Sequence, residues 1–199
     1  MIRILVVEDH NIVRTGLVNL IGTQDDMEVV AETGSGREAL SLARELEPDV
    51  LLLDLDLPDM EGIDVTDQVH RTVPAARILI LTMYKNEDIA AGALRAGAQG
   101  YLVKSTELDE LTLAIRTVHS GKPFITESIR DSLLMQQLVP GRSEDNPVAS
   151  LSDRERQVLL GLADGGSVSA VAEKLGISAS TVKTYKQRIK EKLGLDNVS

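Results

Sequence analysis

Short apolar runs alternate with longer stretches of helical spacing over residues 1–121, and this alternation leaves the chain few possible folds. Five runs predict β-strands, at residues 2–7, 28–33, 50–53, 77–82 and 100–103. The stretches that follow them predict helices, at residues 11–21, 36–46, 63–71, 87–96 and 108–120. Repeated strand-then-helix units require parallel strands, and uninterrupted apolar strands are typical of a sheet that helices cover on both faces. We therefore predict an α/β fold with a doubly wound, five-stranded parallel sheet.

The remainder of the chain predicts a linker and a small all-helical domain. Residues 126–138 have helical apolar spacing, whereas residues 139–150 contain two prolines, a glycine and several polar residues, as exposed linkers do. Ser152 followed three residues later by Glu155 predicts a helix N-terminus, and two further helices follow it. We predict one domain at residues 1–121, a linker helix and flexible linker at 122–150, and a helical domain at 151–199.

The composition excludes several classes of protein. The chain has no cysteine, which rules out a disulfide scaffold, a thiolate metal site and a cysteine nucleophile. No apolar run approaches the length of a membrane span, so we expect a cytoplasmic protein without a membrane partner. The net charge of −10 is unevenly spread, because residues 148–199 carry eight Lys and Arg against six Asp and Glu. The basic end is either a solvated helix face or a surface for nucleic acid.

Polar residues follow four of the five predicted strands. Glu8 and Asp9 follow the first strand, Asp54 follows the third, Thr82 ends the fourth and Lys104 follows the fifth. The carboxyl ends of such strands lie at one edge of the sheet, where ligands bind, so we expect these residues to share one crevice. Carboxylates crowded together repel one another unless a cation offsets their charge, and Mg²⁺ prefers oxygen ligands. The sequence therefore predicts a Mg²⁺ site at this edge.

The same crevice contains the groups that phosphoryl transfer to a carboxylate requires. Asp54 directly follows the central strand, which makes it the best-placed nucleophile. A metal ion and Lys104 would offset the charge of the incoming phosphoryl group, and Thr82 supplies a hydroxyl. Any one of these residues alone is more often an ordinary surface residue. Five suitable residues at the ends of four strands are much less readily explained by chance.

Four segments, VVEDH, LLLDLDLPDMEG, ILILT and GAQGYLVK, resemble the receiver domain of two-component response regulators. The resemblance covers residues 1–121 and implies a flavodoxin-like sheet with strand order 2-1-3-4-5. It implies that Asp54 is the phospho-acceptor and that a sensor histidine kinase is the phosphodonor. The implied Mg²⁺ ligands are Glu8 (through water), Asp9, Asp54 and Asp56 (through its backbone carbonyl). The resemblance further implies that Thr82 and Lys104 contact the phosphoryl group, and that Tyr101 is a switch residue that turns inward when Thr82 moves.

Three segments near the end, LSDRERQVLLGLADG, VAEKLGIS and STVKTYKQRIKEKLGL, resemble the LuxR-type helix-turn-helix of NarL/FixJ-type regulators. The resemblance implies that the helix beginning at Thr181 enters the major groove of double-stranded DNA. The spacing of i, i+3 and i+7 independently puts three lysines on one helix face, where they would attract phosphates: Lys183, Lys186 and Lys190. The opposite face is apolar, with Val182, Ile189 and Leu193.

The sequence stops at Ser199, where the resembled family continues into a fourth helix. Gly194 predicts the end of the recognition helix, and Asn197 and Ser199 are both acceptable residues to begin another. We therefore expect the natural protein to be longer than 199 residues, by one helix of about 11–12 residues.

Together these features predict a response regulator that phosphorylation of Asp54 switches, promoting a homodimer and controlling sequence-specific DNA binding and transcription. We expect no enzyme activity beyond phosphorylation and dephosphorylation of the receiver itself. Two alternatives stay open. The chain could act mainly through protein–protein interaction, with weak or lost DNA binding. The segment DLDL also resembles the motif of aspartate-nucleophile phosphatases, but here it follows the third strand and not the first.

Overall fold

The strand-then-helix repeats form one parallel sheet in the first part of the chain. The computed structural model describes residues 1–104, 108–138, 151, 153–163, 165–175, 177 and 179–193. The strands in these residues are β1 Ile2–Val7, β2 Met27–Thr33, β3 Val50–Leu53, β4 Arg77–Thr82, β5 Gly100–Val103 and β6 Phe124–Ile125. Across the described residues, six strands pair in the order β2-β1-β3-β4-β5-β6. The predicted order 2-1-3-4-5 is confirmed, and β6 extends it by one edge strand.

Helices cover both faces of this sheet. They are α1 Asn11–Gly22, α2 Gly36–Leu46, α3 Gly62–Thr72, α4 Glu87–Arg95 and α5 Leu108–His119. Buried residues of α1 and α5 pack in one apolar cluster, whereas those of α2, α3 and α4 pack in another. The predicted helix bounds agree with the observed ones to within one residue at each end.

The central strand β3 explains why its sequence is apolar without alternation. Val50 and Leu52 belong to the cluster under α1 and α5, whereas Leu51 and Leu53 belong to the cluster under the other three helices. All four side chains are buried, since successive residues of a strand point to opposite faces and both faces are covered. Polar residues therefore occur only before and after β3, and none lies within it.

The chain after α5 remains part of the first compact unit as far as Leu134. β6 pairs with β5 through Gly100 and Phe124, and helix α6 then runs over Glu127–Leu138. Ile129 is buried in the apolar cluster beside α2, α3 and α4, and Leu133 packs against it. The compact unit spans Met1–Leu134 and so passes residue 121, where we predict the first domain to end. The sequence did not indicate β6, because two residues are too few to show strand alternation.

The second compact unit spans Met135–Ser199, and its described part contains the three helices α7 Asp153–Ala163, α8 Val168–Leu175 and α9 Ala179–Leu193. Its small core contains Val158, Val171, Val182 and Ile189, with Leu193 packed against it. The predicted apolar stripe of α9 therefore faces this core. The predicted flexible linker at 139–150 and the predicted end of the chain at 194–199 lie outside the described residues.

No helix in the described ranges combines the length and the apolar character that crossing a membrane would require.

Candidate functional site

The strand pairing aligns the carboxyl ends of β1, β3, β4 and β5 at one edge of the sheet. Val7 lies beside Leu53, and Leu53 lies beside Ile80, in parallel register. Thr82 lies beside Val103 in the same way. Residues that directly follow these pairs are consequently neighbours in space, although they are far apart in the sequence.

Lys104 joins the ends of three strands through two buried carboxylates. Its Nζ lies 2.6 Å from Oε2 of Glu8 and 2.6 Å from Oδ2 of Asp54. The Glu8 and Asp54 side chains are 1% and 4% exposed, and that of Lys104 is 10% exposed. The second oxygen of Asp54, Oδ1, accepts a hydrogen bond from the backbone N–H of Leu55 at 2.7 Å. The crevice thus holds a buried cation between two carboxylates.

The electrostatics of this group follow from burial and from the shared ammonium. Burial raises the pKa of Asp54, since it removes water from the carboxylate, although the hydrogen bond from Lys104 opposes this effect. Burial also disfavours the charged form of Lys104, but hydrogen bonds to Asp54 and Glu8 outweigh it and raise the pKa of Lys104 above its ordinary value. Lys104 is therefore charged at neutral pH.

Asp9 and His10 complete a group of possible metal ligands on the other side of Glu8. Nδ1 of His10 lies 2.6 Å from Oδ1 of Asp9 and 3.2 Å from Oε1 of Glu8. One ligand atom from each of Glu8, Asp9, His10 and Asp54 lies within 4.8 Å of all the others. Three carboxylates and an imidazole suit a divalent cation by charge and by donor type. Sequence reasoning missed His10, although it directly follows the acidic pair.

Thr82 and Tyr101, the other predicted receiver residues, are both completely buried at this edge. The hydroxyl of Tyr101 donates to the backbone carbonyl of Tyr84 at 2.9 Å. The backbone N–H of Tyr84 in turn points at Oγ1 of Thr82, at 3.4 Å. Tyr84 therefore connects two predicted site residues that do not follow one another in the sequence, and sequence reasoning missed it.

The three aspartates that follow β3 have three different partners. Asp54 binds Lys104, whereas Oδ2 of Asp56 accepts a hydrogen bond from the hydroxyl of Tyr84 at 2.5 Å. Asp59 lies at the N-terminus of α2, where it accepts hydrogen bonds from backbone N–H groups at 2.9 and 3.1 Å and from the Ser35 hydroxyl. Although burial opposes ionisation, these hydrogen bonds lower the pKa of Asp59. Asp59 therefore belongs to the fold and not to the crevice.

Helix α9 presents the predicted basic face. Lys183 and Lys186 are exposed, whereas Thr181 and Lys190 are partly exposed. Val182 and Ile189 are buried on the opposite side of the helix. The middle of the polar face is thus accessible at Lys183 and Lys186, as contact with a nucleic acid requires.

Lys192 has a different role from the other lysines of α9. Its Nζ lies 2.7 Å from Oε2 of Glu155, whose side chain is completely buried. This ion pair joins α9 to α7 and supplies a cation to one oxygen of a buried carboxylate, whose charge would otherwise destabilise the small core. The sequence places Glu155 in a capping pattern with Ser152, and Ser152 lies outside the described residues. In the structure Glu155 contacts Lys192.

Comparison with known proteins gives the same two parts. Residues 4–116 match the family described as the response regulator receiver domain, and residues 149–199 match the family of bacterial regulatory proteins called the luxR family. The response regulator GacA of Pseudomonas aeruginosa is 36% identical over 195 residues, covering 98% of this chain and 91% of GacA. The oxygen regulatory protein NreC of Staphylococcus aureus is 39% identical, covering 97% of this chain and 91% of NreC.

Among solved structures, the chain is similar to RcsB in a structure of two RcsB dimers bound to two parallel DNAs. The TM-score is 0.64 and the sequence identity 27%, and the match covers 99% of this chain and 94% of the RcsB chain.

Replacing Asp59 by Asn should destabilise the protein in a pH-dependent way. A carboxyl whose pKa falls on folding stabilises the folded state above its unfolded pKa, and this stabilisation disappears as the pH falls through the folded pKa. At pH 7 we expect Asp59→Asn to lower the free energy of unfolding by about 1 kcal/mol, since charged acceptors at a helix N-terminus contribute about that much. Urea denaturation at pH 7 and below pH 4 should show the difference shrinking in acid.

Asp25→Asn is the matched control for that measurement, because Asp25 is exposed. It should change the free energy of unfolding by less than about 0.5 kcal/mol. A loss for Asp59→Asn that is equal at both pH values would contradict the proposed role of its charge.

Proposed function

The chain belongs to the response regulators that join a receiver domain to a LuxR-type DNA-binding domain, and from this premise we propose that Asp54 is its phospho-acceptor. The observation that carries the proposal is the buried ammonium of Lys104, 2.6 Å from Oδ2 of Asp54. A cation fixed at that oxygen is placed to meet the phosphoryl oxygens as they arrive. The residue types and their burial support the same assignment.

In the proposed reaction an oxygen of Asp54 attacks the phosphorus of the donor. The new bond joins that oxygen to phosphorus, while the bond from phosphorus to the donor breaks, and the donor is a phosphohistidine of a sensor kinase or a small acyl phosphate. Lys104 exchanges its contact with Asp54 for one with the phosphoryl oxygens and stays bound to Glu8. Thr82 supplies a hydroxyl from the adjacent strand end. Catalysis is then mainly positioning and charge neutralisation.

The donor set also fits Mg²⁺, which we propose as the cofactor. Asp9, Asp54 and the backbone carbonyl of Asp56 would hold the ion, and Glu8 would reach it through water. When bound, Mg²⁺ would neutralise the charge that accumulates on the transferred phosphoryl group. The carboxylates that support this assignment are those of Glu8, Asp9 and Asp54, whose ligand atoms lie within 4.8 Å of one another.

Phosphorylation can act at a distance through the contacts of Tyr84. A phosphoryl group on Asp54 carries a charge of about −1.5 to −2, in place of the single negative charge of the carboxylate, so the site beside Thr82 and Lys104 becomes more negative. If Thr82 moves toward it, the contact from the Tyr84 N–H changes, and so does the carbonyl that holds Tyr101. We propose that this rearrangement alters the surface around β5 and its flanking helices and favours a homodimer.

For the second unit we propose that α9 binds double-stranded DNA through Thr181, Lys183, Lys186 and Lys190. The exposure of Lys183 and Lys186 opposite the buried Val182 and Ile189 supports this orientation. A structural relative, RcsB, has been solved as dimers on DNA. A dimer would place two copies of α9 on two half-sites, so that phosphorylation and DNA affinity are linked.

Replacing Asp54 by Asn should abolish the phosphoryl adduct. The purified protein is incubated with acetyl phosphate and Mg²⁺, and its intact mass is measured. Asp59→Asn is the matched control, since it makes the same chemical change five residues further on, in a carboxylate bound to α2. An undiminished adduct in Asp54→Asn would reject the assignment, and so would loss of the adduct in Asp59→Asn alone.

Phosphorylation should increase the mass of the protein in solution to that of a dimer. Sedimentation velocity across a wide concentration range is compared before and after treatment with acetyl phosphate, using Asp54→Asn as the control. The wild-type sedimentation coefficient should rise, and that of the variant should stay constant. A coefficient that does not change in phosphorylated wild-type protein would contradict the dimer proposal without affecting the phospho-acceptor.

Replacing Lys183 or Lys186 by Ala should weaken DNA binding and reduce its dependence on salt. Each lysine that meets a phosphate contributes about 1 to the slope of log affinity against log salt concentration. Lys122→Ala makes the same charge change at an exposed position of the first unit and should leave the slope unaltered. If both α9 variants bind like the wild type, α9 is not the DNA contact, and action through protein–protein interaction is favoured.

A further inference from the structure

The imidazole of His10 meets two carboxylates at the entrance to the crevice, and the proposed phosphoryl transfer gives this imidazole no role. Nδ1 of His10 lies 2.6 Å from Oδ1 of Asp9 and 3.2 Å from Oε1 of Glu8. The backbone N–H of His10 also donates to Oε1 of Glu8 at 3.2 Å, which fixes the main chain beside that carboxylate. Three atoms with lone pairs therefore converge, and a proton or a metal ion must lie among them.

We infer that His10, Asp9 and Glu8 form a binding site for a borderline divalent transition-metal ion of the Zn²⁺ or Ni²⁺ type. Imidazole favours such ions, whereas Mg²⁺ and Ca²⁺ favour oxygen ligands alone. The three ligands are consecutive in the sequence, and their ligand atoms lie within 4.8 Å of one another. The His10 side chain is 67% exposed, so the ion has an open path and room for water ligands.

Lys104 explains why this site lies on the outer side of the crevice. Its ammonium occupies Oε2 of Glu8 and Oδ2 of Asp54, and Oδ1 of Asp54 accepts from Leu55. Oε1 of Glu8 and Oδ1 of Asp9 instead face the imidazole. A transition-metal ion can therefore bind on the His10 side while Lys104 keeps both of its carboxylate contacts.

Mg²⁺ and the transition-metal ion would compete for Asp9. The inference rests on the proposed function only here, since Asp9 and, through water, Glu8 are also proposed Mg²⁺ ligands. An ion held by His10 and Asp9 removes Asp9 from Mg²⁺, so Zn²⁺ would lower the Mg²⁺-dependent phosphorylation of Asp54. The receiver would then respond to the available transition metal as well as to its phosphodonor.

The test compares metal binding by the full-length wild type, His10→Ala and His119→Ala, by isothermal titration calorimetry with Zn²⁺ and separately with Mg²⁺. His119→Ala is the matched control, because it removes an exposed imidazole from the last turn of α5. We expect His10→Ala to lose at least about tenfold in Zn²⁺ affinity, which is the low end for disturbing a metal site. Its Mg²⁺ affinity should be unaltered, and His119→Ala should bind both ions like the wild type.

A second measurement identifies the ligand directly. The imidazole ¹⁵N resonances of ¹⁵N-histidine-labelled protein are recorded with and without saturating Zn²⁺, and only that of His10 should shift. Equal Zn²⁺ affinity in wild type and His10→Ala, or an unshifted His10 resonance at saturation, would overturn the inference. Either result would leave the phospho-acceptor intact, because the mass adduct on Asp54 in Mg²⁺ is measured without Zn²⁺.

Discussion

The crevice depends on one ammonium group held between two buried carboxylates. Glu8, Asp54 and Lys104 come from the ends of β1, β3 and β5, and each is at most 10% exposed. Removing one partner of such a buried group leaves an uncompensated charge and costs about 3–5 kcal/mol. A ligand that separates Lys104 from Asp54 would incur the same cost unless it supplies negative charge to Lys104 in place of Asp54. In the function proposed above, a phosphoryl group on Asp54 would supply that charge.

The central strand of the sheet makes this arrangement possible, because it contains no polar residue between its two ends. Both faces of β3 are covered by helices, so its four side chains are apolar and buried. Backbone pairing in parallel register then aligns the strand ends. Charges that would be intolerable within the strands can therefore gather at one edge, where partners arrive from several strands and water is near.

The spacing of apolar residues predicted most of the fold. A strand that is buried on both faces is apolar throughout, and a helix that is buried on one face has apolar residues at helical spacing. This spacing did not predict β6, because an edge strand of two residues is too short to show a pattern. The crevice was predictable as far as residues follow a strand directly, as Asp54 and Lys104 do. Hydrogen bonds that depend on loop conformation could not be predicted from the sequence. Nothing in the sequence indicates that Asp59 binds α2 while Asp56 binds Tyr84.

Tyr84 shows what such a partnership adds. Its hydroxyl holds Asp56, its carbonyl holds Tyr101 and its N–H points at Thr82, so one residue touches three others around the crevice. The backbone N–H of Asp56 in turn lies 3.4 Å from Oδ1 of Asp54. Within the proposed function, a change at Asp54 reaches Tyr101 both through Thr82 and through Asp56, and the two routes meet in one residue. Because the hydroxyl of Tyr101 donates to the carbonyl of Tyr84, an outward turn of this buried side chain requires that hydrogen bond to break. We therefore expect the proposed switch to depend on how strongly Tyr84 is held at the crevice.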